Sequence, residues 1–345
     1  MTDENLIRKL KSDEIKIHIF ISKTTNKFNN FLDGAGLNPK SDKFTWHCNN
    51  KFEYHKIINV KHEKPPLLIF DRISSAQSIT EVISEFCEYE KLFFNGKKLI
   101  TPHEGNTLRN KRVGLIAMPK SGSSWLKAAF ENALLSDDYR CFGGSWAHGE
   151  GQQLSIPVFS SFINRGGLMK SHISPTKFNQ KVLEDGLSRC PDFKLILHLR
   201  DPRQALVSWI KFEDKMKGPL KTYLHSKKEY NVQDKFEYFY QVFYLTMVDF
   251  IQGWSELLDS SQLISNTLIT TQEELKNHPQ SLNEKLSNWI GLSPGNLAID
   301  EKPVEGELHF RKGRTDEWKG FFSKEQINKL NQVLPVAIRE KFLWE

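Results

Sequence analysis

The chain has 345 residues, 39% hydrophobic and 12% aromatic, enough for one large α/β domain or two small ones with a sizeable core, which excludes a disordered polymer. Its 48 basic and 42 acidic residues leave a surplus of six, too mild to demand nucleic acid and suited to a polyanionic small molecule. No stretch approaches ~18 uninterrupted apolar residues and the charged start MTDENLIRKLKSDEIKI lacks an apolar core, so the expectation is a cytoplasmic protein with no signal peptide and no membrane partner.

Residues 1–110 carry no legible function and are expected to form an N-terminal extension, packed on the core or part of an acceptor pocket, ahead of a main domain at 111–345. Ile15 to Ser22 alternates like a half-buried strand, Leu67 to Phe70 follows Pro65-Pro66 as a second, and Ser78 to Phe94 has the spacing of an amphipathic helix capped by Ser78. His47, His55 and His62 lie near Cys48 at spacings that fit no usual metal site. The four cysteines, Cys48, Cys87, Cys141 and Cys190, form no C-x-x-C pair, so neither a disulfide framework nor zinc is indicated, and reduced thiols are the default.

Residues 113–130, VGLIAMPKSGSSWLKAAF, are the centre of the chain. An apolar run, Val113 to Met118, predicts a buried parallel strand, and the spacing of Trp125, Ala128, Ala129 and Phe130 predicts a helix. Between them, Lys120, Ser121, Gly122, Ser123 and Ser124 gather an ammonium, hydroxyls and free backbone N–H groups around one point, which is chemistry for a phosphate. The lysine precedes the glycine, unlike the G-x-x-x-x-G-K-[ST] loop of ordinary ATP and GTP sites.

Residues 140–167 are rich in glycine and small polar residues and read as a long irregular connection of the acceptor-binding or lid type. Leu168 to His172 reads as a second strand that sends Lys170 and His172 to one side before Pro175 ends it. Lys194 to Leu199 is a third strand, closed by Arg200-Asp201-Pro202, with Asp201 capping a helix from about Arg203 that carries Gln204, Val207 and Ser208. A long helical region with an aromatic face spans Val232 to Leu258, Leu263 to Thr270 is a fourth strand, and Leu282 to Ile290 another helix. Near the end, Arg311, Lys312, Gly313 and Arg314 form a basic loop able to wrap an anion.

Taken together these segments resemble the sulfotransferases that use 3′-phosphoadenosine 5′-phosphosulfate, in particular the cytosolic type. PKSGSSW is similar to that family's 5′-phosphosulfate loop P-K-S-G-T-T-W, with serine for both threonines. MKSHISP is similar to K-T-H-L-P, LRDPRQALVS to the 3′-phosphate motif, and RKGRTDEWK to R-K-G-x-x-G-D-W-K. The resemblance runs from about residue 111 to 322, with two departures. Asp316 and Glu317 replace the family's Gly and Asp, and Gln272 stands where its adenine-side tyrosine is expected.

The resemblance implies an α/β fold, a P-loop-like parallel sheet flanked by helices, and transfer of a sulfuryl group to a small alcohol, phenol or amine, with adenosine 3′,5′-bisphosphate released. It implies that Lys120 neutralises the leaving group, that Lys170 supports the sulfuryl oxygens, and that His172 takes the acceptor proton. Donor binding falls to Lys120, Ser121, Gly122, Ser123, Ser124 and Trp125, with Arg200, Ser208, Arg311, Lys312 and Gly313 on the 3′-phosphate. No metal is called for. His198, on the buried-looking third strand, reads as structural. The family's K-x-x-x-T-V-x-x-x-E dimer segment is degraded after Lys319, with Ser323, Lys324 and Asn328 in the key places, so a monomer or a dimer through another surface is expected. Two alternatives stay open on the sequence: a nucleotide-dependent kinase and a non-catalytic nucleotide-binding module.

Overall fold

The computed structural model describes residues 10–11, 16–20, 25–41, 44–46, 67–70, 91–94, 99–100, 110–136, 139–143, 152–215, 234–293, 296–297, 299 and 315–344. The N-terminal part contains β1 (Ile17–Phe20), α1 (Thr25–Gly34), β2 (Phe44–Trp46), β3 (Leu67–Phe70), β4 (Lys91–Phe94) and β5 (Leu99–Ile100). They form a sheet of order β2-β1-β3-β4-β5, parallel except for the β4–β5 pair.

The main sheet has four parallel strands in the order β11-β10-β6-β9: β6 (Arg112–Ala117), β9 (Gly167–Ser171), β10 (Phe193–Leu199) and β11 (Thr267–Thr271). The phosphate-type loop leads from β6 into α2 (Ser123–Ala133), after which β7 (Phe142–Gly143) and β8 (Gln153–Leu154) make a small antiparallel pair. Then come α3 (Ile156–Arg165), α4 (Lys177–Arg189) and α5 (Pro202–Lys215). A helical region follows as α6 (Lys235–Phe239), a π-helical turn (Tyr240–Tyr244) and α7 (Leu245–Asp259), and after β11 come α8 (Gln272–Asn277) and α9 (Pro279–Ile290). The chain closes with α10 (Trp318–Phe321), α11 (Lys324–Val333) and α12 (Val336–Lys341).

Period-two alternation sorts the strand residues into two apolar layers. Val113, Leu115 and Ala117 of β6 face a layer with Leu126 and Phe130 of α2 and Leu282 and Leu286 of α9. Ile116 and Met118 face the other, with Phe159 and Phe162 of α3, Val207 of α5 and Phe243 and Trp254 from the long helical region. Phe20, Leu68, Phe70 and Phe93 of the N-terminal sheet join the first layer, while Ile17, Ile19, Ile69 and Phe94 pack on Phe28 and Leu32 of α1.

Four sequence expectations are corrected. Residues 91–94 are a strand rather than the end of a helix, because Leu92 to Phe94 are buried between β3 and β5; residues 78–90 lie outside the described residues. The 140–167 connection is not irregular throughout: Ser155 at the N-cap, Pro157 in the first turn and Phe159, Phe162 and Ile163 on one buried face build α3. β1 is buried along its whole length rather than half-buried, and the fourth strand starts at Thr267, after a 3₁₀ turn over Gln262–Asn266. His47, Cys48, His55, His62 and Cys87 are outside the described residues.

Close approach of α3 and α4 depends on Gly186, where an added Cβ would come within 2.7 Å of the Phe159 ring. Gly186→Ala is expected to lower unfolding free energy by about 1 to 3 kcal/mol through overpacking, measured by urea titration.

Candidate active site

The chain runs from β6 to β9 on one side and then crosses back to β10 and β11 on the other, so the carboxyl ends of β6 and β10 form the switch point of the sheet. Loops leaving neighbouring strands there diverge and open a crevice, the place where open α/β sheets bind ligands. The loop with Lys120 follows β6 and Arg200 follows β10.

The loop is held from below by β10. His198 and Arg200 lie two positions apart and send their side chains to consecutive loop carbonyls. His198 Nε2–H donates to the Ser121 carbonyl at 2.9 Å and Arg200 Nη1 to the Lys120 carbonyl at 2.7 Å. Because a carbonyl only accepts, the His198 proton is on Nε2, leaving Nδ1 to accept from the Thr270 hydroxyl at 2.9 Å. Burial is the main reason the His198 pKa falls to about 4.

The backbone bends sharply here. Lys120 has φ of 63° and Gly122 of 88°, left-handed values that cost a side-chain-bearing residue energy and suit the glycine. Trans peptide planarity points the Gly122 N–H opposite to the pinned Ser121 carbonyl, away from β10. Ser123 and Ser124, which open α2, have no upstream helical carbonyl for their N–H groups, whereas the Trp125 N–H reaches the Gly122 carbonyl at 3.0 Å, and Ser121 Oγ is buried without a hydrogen-bond partner. Donors grouped in this way fit a phosphate or sulfate group.

Lys120 Nζ rests 3.9 Å from the Phe212 ring centroid and 5.7 Å from that of Trp209, both on α5. Across the crevice, Lys170 Nζ is 2.8 Å from His172 Nε2. His172 Nδ1–H donates to the Ala117 carbonyl at 2.6 Å, which fixes the tautomer and leaves the Nε2 lone pair facing Lys170. Burial first, then the Lys170 ammonium, depress the His172 pKa to about 3, with Lys120 acting in the same direction. His172 is thus a neutral imidazole at neutral pH, its Nε2 accepting from the Lys170 ammonium.

The structure brings together Lys120, Ser121, Gly122, Ser123, Ser124, Trp125, Lys170, His172 and Arg200. Ser208 lies half-buried along α5. Arg311, Lys312 and Gly313 are outside the described residues, but the chain just after them is anchored: Glu317 pairs with Lys211, Trp318 N–H donates to Gln204 Oε1 at 3.2 Å, and the Arg203 guanidinium stacks 3.9 Å from the Trp318 ring. The loop carrying Asp316 and Glu317 therefore returns onto α5. Gln272, at 5% exposure, sits under Gly122, its Cγ 3.7 Å from where a glycine Cβ would be.

Sequence reasoning missed the loop-holding roles of His198 and Thr270 and the contacts of Gln152 and Lys211. His198 lies directly beside Ala117 and Thr270 in the sheet register. That register was the only signal. Among the described residues no group of three His, Cys, Asp or Glu lies together as metal ligands would, and no helix is long and apolar enough to cross a membrane.

A family model described as the sulfotransferase domain matches residues 110–302. Human Sulfotransferase 2A1 is 23% identical over 286 residues, covering 73% of this chain and 94% of that protein. The 3-beta-hydroxysteroid sulfotransferase of Cavia porcellus is 24% identical over 252 residues, covering 63% and 80%. Among solved structures, mouse sulfotransferase SULT7A1 complexed with PAP aligns over 68% of this chain and 89% of its own with 16% identity and a TM-score of 0.42.

Half-buried His172 and fully buried His198 stay neutral in the fold down to about 3 and about 4, yet unfolded they take a proton below their ordinary value of 6.5. The unfolded chain then binds more protons, so the histidine contribution falls as pH drops from about 6.5 toward 4, by roughly 1.4 kcal/mol per pH unit for each. Urea melts at about pH 7 and about pH 5 should show this loss, and His172→Gln should remove roughly half of it.

Proposed function

This chain belongs to the sulfotransferase family, and on that premise we propose that it moves a sulfuryl group from 3′-phosphoadenosine 5′-phosphosulfate to a hydroxyl or amine of a small acceptor, with His172 as the base. The observation that carries the reading is the meeting, at the switch point of the sheet, of a strained phosphate-type loop bearing Lys120 with a neutral histidine whose Nε2 accepts from the Lys170 ammonium.

The donor's phosphosulfate fits the loop: the buried Ser121 hydroxyl and the outward N–H groups would hold its oxygens, while Arg200, Ser208, Arg311, Lys312 and Gly313 take the 3′-phosphate and Trp125 the adenine. In the transfer, the acceptor oxygen bonds to sulfur as the bond from sulfur to the phosphate oxygen breaks. The acceptor proton passes to His172 Nε2, and the charge left on the phosphate oxygen is met by Lys120. For this the Lys120 ammonium leaves the Phe212 ring and the Lys170 ammonium leaves His172. A bound sulfuryl group attracts both, which ties release of the base to the presence of the donor. The local cations serve the role that a metal ion serves in kinases, so no metal step is needed.

A small acceptor is supported by the half-buried Trp209 and Phe212, an apolar wall next to Lys120. One relative is named for 3β-hydroxysteroids, so a steroid alcohol joins 2-naphthol, a primary alkanol and an arylamine in an acceptor panel with labelled donor. Product in none of the four would overturn the small-acceptor reading.

Adenosine 3′,5′-bisphosphate should bind more tightly than AMP by roughly 2 to 4 kcal/mol, because the 3′-phosphate meets charged donors. Equal affinities in calorimetry would refute the 3′ site. His172→Ala should cut turnover about a hundredfold or more and leave bisphosphate affinity nearly unchanged, whereas Lys120→Ala should lower both.

A further inference from the structure

His172 lies at the end of the edge strand β9, where a sheet gives no neighbour on one side. A turn at such an end is free to shift, and a general base displaced by even an ångström loses much of its effect. Here the turn 172–175 is held from three directions.

The first hold is the segment 152–154. Gln152 makes a parallel bridge to Ile173, and its side-chain Oε1 accepts the His172 backbone N–H at 2.6 Å. The Gln152 carbonyl accepts the Ser174 N–H at 3.0 Å. The second hold is Asn179 in the first turn of α4, a residue with 0% exposure. Its Nδ2 donates to the carbonyls of Gln152 at 3.0 Å and Ser174 at 2.9 Å, and its Oδ1 accepts the Leu154 N–H at 2.9 Å. The third is α7, where Trp254 Nε1–H donates to the Ile173 carbonyl at 3.1 Å and Gly253 lies so near Pro175 that a Cβ would come within 2.5 Å.

Trp254 and Gly253 serve the core as well as the turn. Gln152 and Asn179 differ. Both are buried amides spent on backbone groups that join the 152–154 segment to residues 172–174, and burying them unpaired would be costly. Core filling would use an apolar side chain in either place. Deepening the base reading, on which this rests, we propose that Gln152 and Asn179 are positioning residues that clamp the His172 turn to the 152–154 segment and so hold the imidazole in one orientation on the Ala117 carbonyl. The clamp acts through the backbone N–H of His172 and spends neither ring nitrogen, so that Nδ1 can stay on the Ala117 carbonyl and Nε2 can serve as the base. It also joins the base to the stretch between α2 and β9, the same stretch whose composition suggested acceptor contacts.

The test uses the full chain with adenosine 3′,5′-bisphosphate bound and histidine labelled with nitrogen-15, the His172 signal being identified by its loss in His172→Gln. In the parent protein it should show a single neutral tautomer with the proton on Nδ1. Gln152→Leu removes the acceptor at similar volume. The expected result is a mixture of tautomers, turnover with the best acceptor of the panel lowered by about tenfold to a hundredfold, and donor KM and bisphosphate affinity within about twofold of the parent. Asn179→Ala should act in the same direction. Gln152→Glu keeps an oxygen for the His172 N–H and should restore the single tautomer and most of the turnover. An unchanged His172 signal and unchanged turnover in a Gln152→Leu protein that still binds bisphosphate would overturn the clamp. Should Gln152→Leu fail to bind bisphosphate, Gln152→Glu decides, and a mixed tautomer there overturns it equally. Full turnover by His172→Ala instead overturns the base reading, while the nitrogen-15 signature still judges the clamp.

Discussion

Two consecutive carbonyls of the loop, those of Lys120 and Ser121, are each fastened by a side chain from the end of β10, Arg200 and His198. Strand geometry makes this pairing available, since residues two apart point the same way and sit about one peptide repeat from the loop of the adjacent strand. The pinned Ser121 carbonyl turns the Gly122 N–H to the opposite side, where an anion can use it, while the Ser121 N–H closes the bend on the Met118 carbonyl at 3.3 Å. The left-handed backbone at Lys120 carries a cost of order 1 to 3 kcal/mol, and hydrogen bonds to a guanidinium and an imidazole are of the size needed to offset it. Arg200 thus has two duties. It shapes the loop from below and, in the proposed function, meets the 3′-phosphate.

Around that fixed loop the movable parts are the two ammonium groups. In the structure each is occupied, Lys120 with an aromatic ring and Lys170 with the lone pair of His172. Neither contact is as strong as one to a multiply charged ligand. An ammonium leaving a ring or a neutral imidazole for an anionic oxygen gains a charge-assisted bond. The resting arrangement therefore keeps both cations partnered while leaving them responsive to an arriving anion.

Much of this was legible in the chain. The apolar run Val113 to Met118 announced the central strand, because a strand buried on both faces needs apolar sequence, and Leu168 to His172 and Lys194 to Leu199 were legible as strands beside it. The loop announced itself through residue type and its place between strand and helix. What stayed hidden depended on register or on long-range contact. His198 looks like one more strand residue until the pairing sets it beside Ala117, and Gln152 sits in a stretch whose glycines and serines suggested nothing fixed. The π-helical turn at Tyr240–Tyr244 was also invisible, since an extra residue in a helix leaves aromatic spacing almost intact. Residues 91–94, read as the end of a helix, misled for a related reason: short apolar runs fit either period, and the neighbours of residues 92–94 choose between them.

The N-terminal sheet does not stand apart from this machinery. Phe20, Leu68, Phe70 and Phe93 share an apolar layer with Trp125, Leu126 and Phe130, the helix that begins at the anion loop. A chain shortened to start at residue 110, where the family match begins, would bare that side of α2 and leave an oily face on each fragment. The border drawn by kinship and the border drawn by folding are thus different lines. A partner for α2 is here carried in the same polypeptide, so the part that matches the family model would not by itself be a self-sufficient protein.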